Sequence, residues 1–283
     1  MLDKPPGVTS ARAVAQVKRL LPKKTKIGHT GTLDPLASGL LVLLLGRATR
    51  LSRYVTGLDK TYTATARFGA ASDTLDAEGE IIELNAPFPD ERELRKAAAD
   101  FTGELYQTPP MASAVKVGGE RLYNIHRRGE TVERESRPVT VHALDLVSYD
   151  PPERSATFHI SCTSGTYVRT LIADLSESLH TAAYLTNLRR DSVGSLSLRD
   201  AASLESLTTE HLYNRIIRPA AVVLRMPVVE VKGAARRNVC NGREISVPGV
   251  SGSFRVEDDG ELLAIYNGNG ESGRAEVVLC AGS

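Results

Sequence analysis

Six aliphatic residues in succession, Leu40 to Leu45, follow directly on the segment Gly28-His29-Thr30-Gly31-Thr32-Leu33-Asp34-Pro35-Leu36-Ala37-Ser38-Gly39. The run is far short of the roughly 20 residues that span a bilayer, and its length suits a buried strand. The segment before it reads as a loop. Its three glycines, Gly28, Gly31 and Gly39, permit backbone geometry closed to other residues and leave room for close approach. One histidine and one aspartate, His29 and Asp34, stand among small polar residues just before the core. On pattern alone Asp34-Pro35 could equally shape a turn and His29 lie on the surface.

Around this point the chain alternates between two periodicities. Thr9 and Ser10 can cap a helix with Val14, Val17, Leu20 and Leu21 on one face, which Pro22 ends. Thr61 to Phe68 has the period of a half-exposed strand, with Tyr62, Ala64, Ala66 and Phe68 on one side. Asp90 opens a charged helix running to about Asp100. Strand-like runs follow at Val139–Val147 and Ala156–Cys162, then helical spacing from Tyr167 to Leu179. Strands and helices in irregular alternation indicate an α/β or α+β domain rather than a regular doubly wound one.

Two stretches break this pattern. Gln107 to Pro138 carries Pro109-Pro110, Gly118-Gly119 and six basic residues with little apolar content, and reads as an exposed excursion of functional kind. Pro219 and Pro227 bracket an expected linker. Beyond it come short alternating strands, with Asp259-Gly260 as a hairpin turn, enough for a small β-barrel. The division expected is 1–226 for the main domain, with its insertion at 107–138, and 227–283 for the tail.

The formal net charge is +1, but Met1 to Lys60 holds eleven Lys or Arg against three acidic residues. Thr61 to Glu104 holds four against ten. A basic first segment suggests a local face for a polyanion, although a solvated helix face explains charge alone equally well. The three cysteines, Cys162, Cys240 and Cys280, lie far apart and form no CxxC pair. They suggest no disulfide framework and no structural zinc, and with no secretory signal visible they point to a reducing cytoplasm. Gly268-Asn-Gly270-Glu-Ser-Gly273 satisfies GxGxxG but has no strand–turn–helix context, so it is read as a turn. Walker A, HExxH and GxSxG sequences do not occur.

Three further clusters accompany the glycine-rich segment. Cys162-Thr-Ser-Gly165-Thr166-Tyr167-Val168-Arg169-Thr170-Leu171 joins a strand to a helix, Lys60-Thr61-Tyr62 heads the alternating strand, and Lys4-Pro5-Pro6-Gly7-Val8-Thr9-Ser10 leads into the first helix. Each has a plain structural explanation when taken singly. Together with Gln107-Thr-Pro-Pro-Met-Ala-Ser-Ala-Val-Lys116, they resemble the TruB family, the bacterial transfer-RNA pseudouridine-55 synthases, over nearly the whole chain and in the family's order.

That resemblance implies a pseudouridine-synthase fold: a mixed, largely antiparallel sheet, an RNA-gripping insertion and a small PUA-type RNA-binding tail. It implies Asp34 as the essential aspartate, Tyr62 packing on the target base, and Arg169 paired with the carboxylate. His29 would enter the space left by the extruded base, and Leu188 would line the pocket. Lys4, Gly28, Tyr167 and Lys116 would complete the substrate surface. Phosphate contacts are expected from Lys4, Lys18, Lys23, Lys24 and Lys26. The substrate implied is the T-arm stem-loop of tRNA, without membrane, nucleotide or metal, and the protein is expected to act as a monomer. Three places depart from the family pattern: the start at Met1-Leu2-Asp3, Ala112 where many members carry an aromatic, and Ser164 where many carry lysine.

The implied chemistry is an isomerisation: uracil N1 leaves ribose C1′, the base turns, and C5 takes its place. Nothing is oxidised and no group is gained, so no cofactor is required. Two other classes compete. An RNA-folding chaperone would need the basic face and tail but no Asp–Arg–Tyr set, and could coexist with a synthase. A glycosidic hydrolase would want a second carboxylate as acid, and the glycine-rich segment supplies none.

Overall fold

The computed structural model describes residues 1–280, so the last three positions of the expected tail lie outside the described residues. From the N-terminus come β1 (Leu2–Lys4), α1 (Ser10–Arg19), β2 (Ile27–Thr30) and β3 (Ser38–Leu45). Next are α2 (Ser52–Thr56), the long β4 (Lys60–Phe68), and a small hairpin of β5 (Ala70–Ser72) and β6 (Ile81–Glu83). Helix α3 (Glu91–Asp100) leads to β7 (Gly103–Gln107), and the excursion holds β8 (Lys116–Val117), β9 (Glu120–Arg121) and α4 (Leu122–Arg127). The strands β10 (Arg137–Asp150) and β11 (Ser155–Cys162), helix α5 (Val168–Ser178) and β12 (Ala183–Val193) complete the centre. Two short strands, β13 (Leu196–Ser197) and β14 (Ala202–Ser203), precede α6 (Thr209–Asn214). The tail contains β15 (Val228–Glu230), α7 (Gly233–Cys240), β16 (Ile245–Ser246), β17 (Ser251–Asp258), β18 (Glu261–Asn269) and β19 (Ser272–Val278).

The main sheet runs β14-β1-β3-β12-β4-β11-β10-β7, with β2 on β3 and β13 on β12. Only β1/β14 and β3/β12 pair in parallel within it. Helices α1, α3 and α5 cover one face through Ala13, Val17, Leu94, Ala97, Leu171 and Leu175. The aliphatic run of β3 is explained by burial on both sides. Leu41 packs under the helices, whereas Leu40, Val42 and Leu44 pack against the tail. Strand β4 alternates as expected, and Asp90 caps α3 with a reciprocal bond pair to Glu93.

Several expectations need correction. Gly28 and His29 lie in β2, not in a loop: β1 occupies Gly39–Leu41 of β3 and β2 takes the next residues, Val42–Leu45. The true loop is therefore only Gly31–Ala37. The excursion is not wholly exposed, because Leu122 and Ile125 of α4 are buried. The expected linker is a 3-10 turn, Pro219–Val222, whose Ala220 and Val222 fill the joint between the sheets. The expected small β unit of the tail is present, as a five-stranded half-barrel in the order β15-β17-β18-β19-β16. Its Asp259-Gly260 turn has positive φ at both residues, as a two-residue hairpin demands. The GxGxxG segment is the β18–β19 turn.

The cysteines also differ from expectation. Cys240 at the end of α7 and Cys280 just after β19 form a disulfide, with Cα atoms 5.4 Å apart. A separation of 40 residues hid the pair from sequence inspection. Cys162 is buried and free.

Candidate active site

The loop carrying Asp34 is held from three directions. Ser10 Oγ, at the start of α1, accepts from Leu33 N–H and donates to Leu33 O, both at 2.9 Å. Gly7 N–H donates to Pro35 O at 2.8 Å, and Ala37 N–H closes the turn on Asp34 O. At the far end Gly39, with φ +97°, lies so close to β12 that an added Cβ would overlap the Arg190 carbonyl. This is a position only glycine can fill.

Asp34 opens onto a cavity of about 430 Å³ lined also by Tyr62, Tyr167, Arg169 and Leu188. Arg169 projects from the first turn of α5 and is 5% exposed. Its Nη2 lies 2.9 Å from Asp34 Oδ2 and its Nη1 3.3 Å from Asp76 Oδ2. It also donates to Thr74 O at 2.7 Å and to Ala112 O at 2.8 Å. One guanidinium thus joins the aspartate loop, the β5–β6 connection and the insertion. Ala112 contributes its main chain, so the missing aromatic does not affect this bond.

Burial pushes the Asp34 carboxyl above the ordinary carboxylate range, and the neighbouring Asp76 adds to that; Arg169 opposes both. Asp76 itself is nearly inaccessible, and its Oδ1 accepts from the Thr74 hydroxyl and the Glu78 amide. Sequence inspection missed Asp76. It lies in an acidic stretch whose only local signal is charge, and nothing there marks it as the one carboxylate turned inward.

Tyr62 is 7% exposed, and burial pushes its hydroxyl upward. It lies between Ile160 of β11 and Arg190 of β12 in the strand register. Tyr167 caps α5 and is fixed by Gln107, which receives its N–H at 3.0 Å and donates to its carbonyl. Leu188 forms part of the wall.

The other expected residues lie elsewhere. Lys4 is fully buried: its ammonium donates to Pro5 O, Val8 O and Pro35 O at 2.9, 2.6 and 3.4 Å. It meets main chain rather than solvent, where a phosphate contact had been expected, and burial draws its pKa down to about 8. His29 is half-buried on β2, outside the cavity lining, with no partner for Nδ1 among the described residues; burial and Arg190 lower its pKa. Gly28 sits in open strand geometry with room for a Cβ. Lys116 is exposed on the β8–β9 hairpin. Lys18, Lys23, Lys24 and Lys26 are all exposed.

Asp34 is the sole carboxylate lining the cavity among the described residues, and Asp76, which meets the other side of Arg169, is not part of the lining. That geometry suits an ionised group acting on one carbon or one proton, not a paired acid and base. No cluster of three or more metal-ligating side chains occurs among the described residues. No helix among the described residues is long and apolar enough to cross a membrane.

Residues 18–168 match the family model described as TruB family pseudouridylate synthase (N terminal domain). The chain is 42% identical over 273 residues to the tRNA pseudouridine synthase B of Cupriavidus metallidurans, covering 95% of this chain and 87% of that one. It is 43% identical over 277 residues to the protein of the same name from Burkholderia mallei, covering 94% and 91%. Among solved structures, a Cbf5-Nop10-Gar1 complex matches 99% of this chain and 84% of that chain at TM-score 0.77 and 25% identity. An H/ACA RNP bound to a substrate RNA containing 2′-deoxyuridine matches at TM-score 0.74 and 23% identity, covering all of this chain and 84% of that one.

Proposed function

Because the chain belongs to the TruB family of pseudouridylate synthases, we propose that it isomerises the uridine at position 55 in the T-arm of tRNA to pseudouridine, with Asp34 as the reacting carboxylate. The observation that carries this proposal is the pairing of Asp34, open to the cavity, with the buried Arg169 at 2.9 Å. A carboxylate must be ionised to attack C1′ or to take the C2′ proton, and a fixed guanidinium supplies that state inside a protein wall.

The target base must first leave its stack, at a cost of a few kcal/mol. The cavity can hold it, with Tyr62 offering a ring face and Leu188 an apolar edge. His29 lies on β2 two residues before Gly31 of the cavity lining, and burial and Arg190 favour its flat, neutral form, as suits a side chain filling a vacated stack. The exposed lysines of the first segment give affinity through phosphates, and the half-barrel tail grips the RNA as a PUA-type domain. The protein works as a cytoplasmic monomer and needs no cofactor. A tRNA-folding role would depend on the same surface and not on Asp34.

The test uses tRNA transcripts labelled with tritium at uracil C5. Isomerisation releases that label into water, in proportion to one uridine per molecule. Absence of release from the purified protein would overturn the proposal, as would release from transcripts lacking the T-arm.

A further inference from the structure

Two cations line the Asp34 cavity without a carboxylate partner. Lys60 is 6% exposed and Arg190 is 1% exposed, and neither lies within ion-pair distance of an acidic group among the described residues. The Lys60 ammonium donates to Thr56 O at 2.9 Å and to Leu58 O, and has no third acceptor among the described residues. Arg190 donates from Nε to Leu40 O at 2.8 Å and from Nη2 to Gly31 O at 2.9 Å, and its guanidinium also meets the Tyr62 hydroxyl. Burying an unpaired charge is unfavourable, and burying two side by side more so. Each raises the cost of the other, and burial and Arg190 together bring Lys60 down to about 8. Main-chain tethering explains the carbonyl bonds; a neutral donor would serve that purpose without the charge.

We infer that Lys60 and Arg190 form a cationic wall that stabilises the departing uracil as its anion. Lys60 and Tyr62 share one face of β4, and Arg190 stands opposite Tyr62 in the β4–β12 register. A base resting on Tyr62 therefore has both cations at its rim. When C1′–N1 breaks, the bonding pair goes to N1 and the charge spreads to the uracil oxygens. This holds whether Asp34 forms a bond to C1′ or takes the C2′ proton. The pair returns when C5 bonds to C1′ as Asp34 leaves C1′, or gives its proton back to C2′; N1 then gains a proton and C5 loses one, so atoms and charge balance. Fixed charges aimed at a developing anion give the kind of help an oxyanion hole gives.

This inference rests on the synthase proposal, and its test separates the two. Wild-type protein is first shown to convert uridine in a T-arm stem-loop; failure there removes the synthase proposal itself. Lys60→Gln keeps donors for Thr56 O and Leu58 O but loses the charge. Single-turnover consumption of the target nucleoside is then compared for uridine and 5-fluorouridine, whose electron-poor base leaves more readily. We expect Lys60→Gln to slow uridine by about 10²–10³-fold and 5-fluorouridine distinctly less, with RNA affinity and thermal unfolding little changed. Lys60→Arg should restore most of the rate. Arg190→Lys, which keeps a cation but moves it, should shift the same ratio in the same direction by less. Equal slowing of both nucleosides would mark a tether and overturn the inference. Loss of affinity at an unchanged rate ratio would mark a phosphate contact, with the same consequence.

Discussion

At Asp34 burial and a neighbouring carboxylate favour the protonated acid, and Arg169, followed by Lys4, opposes them. The active form therefore exists only above a raised pKa. Arg169→Met removes the stronger opposing cation, so the acid limb of the kcat–pH profile should move to higher pH, with kcat reduced even at saturating RNA. An unmoved limb would contradict the ion pair. Asp34→Asn should lower the single-turnover rate by at least about 10³-fold while affinity, set by phosphates, stays within a few-fold. Lys4 tests the opposite case. Lys4→Met removes the ammonium donor of Pro5 O and Val8 O, while Pro35 O keeps Gly7 N–H, and should cost about 1–3 kcal/mol of stability. It should leave the salt dependence of RNA binding unchanged. Lys23→Ala and Lys24→Ala, both at exposed residues, should instead flatten the salt dependence, by about one unit of slope each.

At the scale of elements, what was legible in the sequence had a period or a cap. Strand β4, with its alternating face, and α3, with its Asp90–Glu93 box, lie where the residues placed them. The β3 run was legible as a strand, but the reason for its continuous apolarity was not. That needed the tail, which is distant in sequence. The same limit applies to Gly28 and His29, which look like loop residues until β3 offers them a partner. Asp76, the Lys4 tether and the Cys240–Cys280 pair depend on contacts between segments far apart, which no local pattern encodes. The insertion reaches the site through the Ala112 carbonyl on Arg169. Replacing residues 114–134 by a short glycine linker should thus reduce kcat as well as affinity. A change in affinity alone would show that the insertion only grips.

At the scale of the molecule, the tail is not an independent appendage. Leu262, Ile265 and Leu279 share a buried cluster with Leu40, Val42 and Leu44 of β3. Arg47 and Arg50 donate to the carbonyls of Leu279 and Val278 across the same joint. Burial of each such aliphatic side chain contributes about 1.5–3 kcal/mol. A chain ending at 226 should consequently unfold at clearly lower temperature than the full protein while retaining slow turnover. An unchanged transition would show that the shared cluster contributes nothing. The disulfide closes a 40-residue span inside the tail, so reduction should weaken the tail by about 2–4 kcal/mol without altering the Asp34 site. In the proposed reaction one carboxylate on a pinned loop isomerises one tRNA uridine. Pseudouridine mapping at nucleotide resolution tests it most directly, on tRNA incubated with purified wild-type protein or Asp34→Asn. A single modified position in the T-loop, present with wild type and absent with the variant although the RNA is bound, is the expected result. Modification by the Asn variant at a comparable rate, or none by the wild type, would contradict it.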